Sequence, residues 1–239
     1  NTMFSLGLFI NDINDIYKLE TLEDIQVQLG FYRVQMYRDF GVRAKELCKE
    51  KNLTMDSIHL PTKDMTIDLV HEIMALFNVE KATIHAHDTI MTMLEGELSW
   101  KVCLENFPYK SDRTFRTPID IIRTSAGKPK LGMTFDICHA EMLWLDPIIL
   151  SSILKYTDII HLSNKLWDRK PSGVDADSGF HIPIHGFKGV IDIDKVLGII
   201  LKQYHWKGEI VLEYMPKYFE KAKSDLQKLK DNWGKFLVL

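Results

Sequence analysis

The stretch from Gly132 to Ala140 places two side chains that can bind a metal three residues apart. Asp136 ends an apolar run typical of a buried strand, and His139 follows where the chain turns toward a helix. A carboxylate and an imidazole at this spacing can converge on one divalent cation. Such a pair is common in α/β proteins, so the stretch alone indicates only a candidate site.

Five other short apolar runs also end in an ionisable side chain, namely His59, His85, Glu105, His161 and Glu213. In each run the residue before the ionisable group is bulky and apolar, and the residue two before it is usually smaller. Because side chains alternate between the two faces of a strand, the bulky residues and the ionisable groups point to opposite faces. A closed parallel barrel has this pattern, with large residues under a coat of helices and reactive groups at the C-terminal rim.

The elements that must position these groups alternate along the chain. We predict a strand over 4–10, a helix over 15–29 that stops at Gly30, and a second strand over 32–37 with Gln35 facing inward. Six further strands are predicted at 55–60, 81–85, 101–106, the stretch that ends at Asp136, 158–163 and 209–214. Eight strands alternating with helices predict a single (β/α)8 TIM barrel over residues 1–239. The competing fold, a doubly wound open sheet, lacks its glycine-rich phosphate turn here.

The composition argues against a membrane protein, a disulfide-bonded secreted protein and a strongly basic nucleic-acid-binding protein. The chain has 239 residues, of which 46% are hydrophobic, and no window approaches the ~18 uninterrupted apolar residues of a membrane span. Three cysteines form no CxxC pair, and the N-terminus lacks the features of a signal peptide, so we expect a cytoplasmic protein. A net charge of −3 argues against a strongly basic nucleic-acid surface.

Four of the ionisable groups lie at the ends of predicted strands five to eight: Glu105, Asp136, His161 and Glu213. We predict that they bind one divalent metal, because carboxylates converging on one rim need a compensating cation. Three carboxylates favour Mn²⁺ or Mg²⁺, while Zn²⁺ or Co²⁺ also suits the set. His139 is a candidate for a second metal or a substrate oxygen. For His59 and His85, three interpretations stay open: ligands of a multinuclear site, substrate contacts, or histidines bonded to loop carbonyls.

These residues resemble the motifs of the xylose isomerase-like TIM barrel superfamily, which includes sugar and sugar-phosphate isomerases and epimerases and the endonuclease IV branch (AP endonuclease family 2). Ser57–Pro61 is similar to its HxP strand end, Leu104–Asn106 to LEN, and Asp136–Ala140 to DxxHA. His161–Asn164 is similar to HLSD, and His181–Asp192 to HxPxGxGxID. The resemblance covers nearly the whole chain.

The isomerase branch supplies the leading hypothesis. The resemblance implies that Glu105, Asp136, His161 and Glu213 hold one metal. Glu105 and Glu213 would move a proton at carbon through an enediolate, with His139 contacting the sugar. Arg169 stands near the place of an arginine that the family has after His161, and is a candidate substrate contact. The expected substrate is a sugar or sugar phosphate, and a homo-oligomer stays open.

Two alternatives remain. The endonuclease IV branch implies a zinc phosphodiesterase acting on abasic DNA, in which His59, His85, His139 and His181 complete a three-zinc site. Gly179 stands where that branch has an aspartate. The other alternative is a barrel that binds a sugar without turnover, since a fold does not by itself imply activity.

Overall fold

Parallel strands in chain order close the molecule into a barrel. The computed structural model describes residues 5–10, 18–31, 33–61, 64–85, 98–107, 117–168 and 179–237. The strands are β1 Ser5–Ile10, β2 Gln26–Gly30, β3 Ser57–His59, β4 Lys81–His85, β5 Lys101–Glu105, β6 Leu131–Asp136, β7 Thr157–Leu162 and β8 Glu209–Leu212. Each strand pairs with the next, and β8 pairs with β1. The predicted (β/α)8 TIM barrel is confirmed.

The helices of the described part pack on the outside of the barrel. They are α1 Val34–Glu50, α2 Ile67–Phe77, α3 Pro118–Ser125, α4 Pro147–Leu154, α5 Ile193–Leu197 and α6 Phe219–Leu237. A π-helical turn, Gly198–Gln203, continues α5. Side chains cap the N-termini of two of these helices. At α2 the Thr66 hydroxyl accepts from Leu69 N, and at α3 Thr117 forms a capping box with Asp120. None of these helices is both long and apolar enough to cross a bilayer.

The prediction for the second strand was wrong. Strand β2, at 26–30, overlaps the last four residues of the predicted helix 15–29, and α1 begins at Val34 inside the predicted strand 32–37. Val27 and Leu29 pack in the outer core while Gln28 between them faces inward, so the true pattern is a two-residue alternation only five residues long. Such a short alternation is hard to distinguish from helical spacing. Gln35 is therefore exposed on α1, where it donates to Asp39.

The predicted division of side chains between the two faces of the strands is confirmed. Inside the barrel, Phe9 clusters with Cys103, Ile159 and Val211. The bulky residues before the ionisable groups belong instead to the large core beneath the helices: Ile58, Ile84, Leu104, Phe135, Ile160 and Leu212. The alternation of each strand therefore aims its terminal polar group at the barrel axis.

We expect Gly132→Ala to destabilise the N-terminal end of the barrel. A Cβ at Gly132 would overlap the Asp158 carboxylate, which pairs with Lys101 Nζ at 2.6 Å. Displacing this pair should cost roughly 1–3 kcal/mol of unfolding free energy, measured by urea denaturation. The control is Gly198→Ala, where a Cβ meets nothing within 4 Å and the backbone is helical (φ −58°). That change should be neutral or stabilise by up to about 1 kcal/mol. Equal effects of the two changes would contradict the prediction.

Candidate metal centre

The four predicted ligands meet at the C-terminal end of the barrel. Strands β5, β6 and β7 end at or next to Glu105, Asp136 and His161, and Glu213 follows the last residue of β8. One ligand atom from each of the four lies within 4.8 Å of the others. All four residues are buried, at 5% exposure or less. The structure therefore brings together residues that are more than a hundred positions apart in sequence.

The contacts within this group fit a bound cation. His161 Nδ1 lies 3.1 Å from Glu105 Oε1 and 2.6 Å from Glu213 Oε2. Glu213 Oε2 and Asp136 Oδ2 are buried, and the imidazole nitrogens beside them, His161 Nδ1 at 2.6 Å and His139 Nδ1 at 3.0 Å, are not aligned as hydrogen bonds to them. Leaving buried carboxylate oxygens unsatisfied is costly, and a cation satisfies them. Oxygen and imidazole donors are the set that divalent metals take in proteins.

A second group surrounds the other oxygen of Glu105. Glu105 Oε2 lies 3.0 Å from His59 Nε2 and 2.8 Å from His85 Nε2. His59 Nδ1 lies 3.0 Å from the Leu60 carbonyl oxygen, which can only accept, so Nδ1 carries a hydrogen. These three residues form a second set of potential metal ligands. His59 therefore contacts a carbonyl oxygen through Nδ1 and the Glu105 carboxylate through Nε2, so a carbonyl is not its sole partner.

A third group shares Asp136 with the first. It comprises Asp136, Cys138, His139 and His181. His139 Nδ1 lies 3.2 Å from the Asn106 carbonyl oxygen, and His139 Nε2 lies 3.0 Å from His181 Nε2. His181 adopts a positive φ of 51°, which is unusual outside glycine and indicates a conformation imposed by its surroundings. Arg169, the remaining predicted substrate contact, lies outside the described residues.

Charges within the centre shift the pKa of several groups. Burial alone would raise the pKa of Glu105, but His85 and His161 lower it well below its usual value. The pKa of Glu213 falls to about 2, because His161 and His181 outweigh its burial. Burial opposes charge on His161 as well, yet Glu213 and Glu105 raise its pKa well above the usual value. Without a cation, the centre therefore holds ionised carboxylates against protonated imidazole.

Two residues position these ligands from behind. Asn106 donates from Nδ2 to the Asp136 carbonyl at 2.9 Å and accepts from Asp136 N at 2.7 Å, which fixes the end of β6. Gln28 Oε1 lies 2.8 Å from His161 Nε2. Asn106 belongs to the motif that resembles LEN, whereas Gln28 was not predicted, because the predicted second strand begins six residues too late along the chain. The period-two run Ile25–Gly30 was the signal that could have found it.

Comparison with known proteins finds this fold in solved structures. No protein family profile and no curated protein sequence matches the chain. A xylose isomerase domain protein from Planctomyces limnophilus is 12% identical with a TM-score of 0.68, and the match covers 98% of this chain and 97% of that one. The 3-keto-D-glucoside 4-epimerase of E. coli is 10% identical with a TM-score of 0.63, over 94% and 99% of the two chains. Endonuclease IV from Thermus thermophilus is 16% identical with a TM-score of 0.61, over 95% and 99%. The chain thus has the fold of the xylose isomerase-like TIM barrels.

Proposed function

We propose that this protein is a divalent-metal-dependent epimerase or isomerase of a sugar or sugar phosphate. The observation that supports this most is the pair of buried carboxylates, Glu105 and Glu213, which lie 3.1 Å and 2.6 Å from the same atom, His161 Nδ1. Both are ionised because the neighbouring histidines lower the pKa of each. An ionised carboxylate beside a bound substrate is a base that can take a proton from carbon, and once protonated it is an acid.

The arrangement assigns roles to the chain's own residues. Glu105, Asp136, His161 and Glu213 would hold the metal, whose chemistry is to polarise the carbonyl and hydroxyl oxygens of the substrate. One glutamate removes the proton next to the carbonyl and the other returns a proton to the opposite face, which inverts that carbon. His139, with a pKa raised to about 9 because Asp136 and the two glutamates outweigh its burial, can donate a hydrogen bond to a substrate oxygen.

One feature of the third group favours this function over a three-zinc endonuclease. Gly179 stands at the position of the aspartate in the endonuclease IV pattern. The Trp167 ring packs against it so closely that a Cβ at 179 would overlap the indole. A carboxylate at this position therefore has no room, and the loop gives the third group only His181.

Solvent exchange tests the proposal directly. The metal-loaded protein is incubated in heavy water with a panel of ketoses and ketose phosphates, and deuterium uptake is followed by NMR. We expect uptake at the carbon next to the carbonyl of at least one substrate, and its loss after chelation. The matched control is Asp225→Asn, which changes a buried carboxylate outside the centre and should keep the exchange. If no sugar in the panel exchanges at saturating Mn²⁺ or Mg²⁺, the proposal is wrong.

A second candidate function, a phosphodiesterase that acts on abasic DNA, is favoured by one observation. His59 and His85 both lie within hydrogen-bond distance of Glu105 Oε2, as expected for ligands of a further cation. Several cations sharing carboxylates is an arrangement that phosphodiester hydrolysis uses.

Metal counting separates the two functions. Under the first proposal, His59→Asn with His85→Asn leaves one metal per chain, measured by elemental analysis after dialysis against Mn²⁺ or Zn²⁺. Under the second, the native chain holds two or three zinc ions, the double variant loses one, and the native chain cleaves an abasic duplex. Cleavage together with loss of a zinc ion would replace the first proposal.

A further inference from the structure

Lys165 is a buried lysine in the loop that follows β7, four positions after His161. It is 1% exposed, and lysine is almost never this buried unless its charge is paired. Removing an ammonium group from water is costly, so its hydrogen-bond partners must compensate. The partners of Lys165 Nζ therefore indicate what this residue holds in place.

The side chain of Lys165 joins two loops at the C-terminal end of the barrel. Its Nζ donates to the Ala140 carbonyl oxygen at 2.5 Å and to Asp168 Oδ1 at 3.1 Å. The same carboxylate oxygen accepts from Met142 N at 3.0 Å. Lys165 and Asp168 thus hold the loop after β6 at two points, one of them the residue after His139. Hydrogen bonds with a charged partner are roughly twice as strong as neutral ones.

The backbone beside this lysine holds a different loop, the one that carries His181. Asn164 and Ile182 exchange two backbone hydrogen bonds, at 2.9 and 3.1 Å. Leu166 N donates to the Gly179 carbonyl oxygen at 2.9 Å. Because these contacts flank His181, they fix where its backbone lies. One short segment therefore links this loop to the loop after β6.

The two loops bring two histidines together. His139 Nε2 lies 3.0 Å from His181 Nε2. Asn106 and Asp136 contact the other ring nitrogen of His139, Nδ1. Since both histidines lie in loops, the distance between them depends on how the loops are joined, and Lys165 joins them.

We propose that Lys165 is a positioning residue that sets the spacing of His139 and His181, and through it the hydrogen bonds offered to the oxygens of a sugar substrate. This inference rests on the proposed function. The four predicted metal ligands lie at or next to the ends of strands, so they do not depend on this link. Loss of Lys165 should therefore change turnover far more than metal affinity. A misplacement of about 1 Å can cost roughly 10²-fold in rate.

The first test compares turnover with metal affinity in the full chain. Lys165→Met keeps most of the apolar stem and removes the donor to Ala140 and Asp168. The rate of deuterium uptake at saturating ketose or ketose phosphate should fall about 10- to 100-fold, while Mn²⁺ affinity, measured by calorimetry, stays native. Asp168→Ala should act in the same direction, because it removes the acceptor of Met142 N. Asp168→Asn should keep most of the rate, because its amide oxygen still accepts.

The matched control is Lys101→Met. Lys101 also pairs with an aspartate, Asp158, at 2.6 Å, but it begins β5 at the N-terminal end of the barrel. This variant should lose stability and keep the native rate. If Lys101→Met and Lys165→Met lose rate equally, the effect is general destabilisation and the inference is wrong.

Amide hydrogen exchange, followed by NMR in the Mg²⁺-loaded chain, measures the loop without any substrate. The amides of His139 and Met142, which donate to Asp136 Oδ1 and Asp168 Oδ1, should exchange faster in Lys165→Met than in the native chain. Amides at the other end of the barrel should keep their native rates. Native exchange of these two amides, or native turnover in both Lys165→Met and Asp168→Ala, would overturn the inference.

The two measurements also separate this inference from the proposed function. If the native chain incorporates deuterium into no sugar of the panel, the proposed function fails. Faster exchange confined to the amides of His139 and Met142 would then still support the positioning role of Lys165.

Discussion

Replacing Glu105 by glutamine is expected to abolish both metal binding and turnover. Glu105 contributes one oxygen to the group with His161 and the other to the group with His59 and His85. Glutamine retains the shape but offers one neutral acceptor where two charged oxygens stood. We expect metal affinity to fall by at least ~100-fold, beyond the typical loss from changing a partner behind a ligand. Turnover should fall by roughly 10²- to 10⁴-fold, as for loss of an acid/base group.

The same change should destabilise the metal-free chain. The carboxylate of Glu105 lies against three imidazoles, and removing one member of a buried charged network typically costs about 3–5 kcal/mol. Urea denaturation with and without metal would separate this effect from the loss of binding. Asp225→Asn is the matched control, since Asp225 is also fully buried but pairs with Lys221 and Tyr214 away from the centre. It should lose stability and keep its metal; native metal affinity in Glu105→Gln would contradict the assignment.

The candidate ligands were predictable from sequence because neighbouring residues of every strand face opposite sides of the sheet. In a buried parallel strand, the residue that ends the run has its orientation set by the residue before it, so Ile84 and His85, or Leu104 and Glu105, must face opposite sides. The barrel topology then places these ends on one rim. The alternation of side chains along single strands was therefore enough to predict both the barrel fold and the residues that meet at its C-terminal end.

The support behind the ligands was not predictable in the same way. Whether Gln28 faces His161 depends on the register of β2, and that strand is too short for its alternation to outweigh the surrounding helical spacing. Contacts across the barrel, such as that of Gln28 with His161, join positions 133 residues apart and arise only from closure. The packing of Trp167 on Gly179 is likewise set by loop geometry that sequence periodicity does not describe.

Metal removal should make the stability of the chain fall at alkaline pH. His139 has a pKa raised from 6.5 to about 9, because Asp136 and the glutamates outweigh the effect of burial. A raised pKa in the folded state means that the charged histidine stabilises the fold fully below about pH 6.5. That stabilisation is lost as the pH rises through about 9. The pKa of His161 is raised for the same reason and adds in the same direction.

At acid pH, stability of the metal-free chain is limited by Glu213, whose pKa is lowered where that of His139 is raised. Its pKa is lowered from 4.5 to about 2, so its contribution is present above pH 4.5 and is lost as the pH falls toward 2. The metal-free chain should therefore be most stable between these limits. At about 1.4 kcal/mol per pKa unit, the alkaline loss from His139 alone is roughly 3.5 kcal/mol at most.

A bound cation should remove most of the alkaline loss, because it neutralises the carboxylates in place of the imidazolium protons. Urea denaturation at a series of pH values, with EDTA or with saturating Mn²⁺, measures this difference. His139→Asn in the metal-free chain should flatten the alkaline limb, whereas changing the remote His205, exposed on the surface, should not. A metal-free stability that stays constant between pH 6.5 and 9 would show that carboxylates of the centre do not hold these histidines in the charged form.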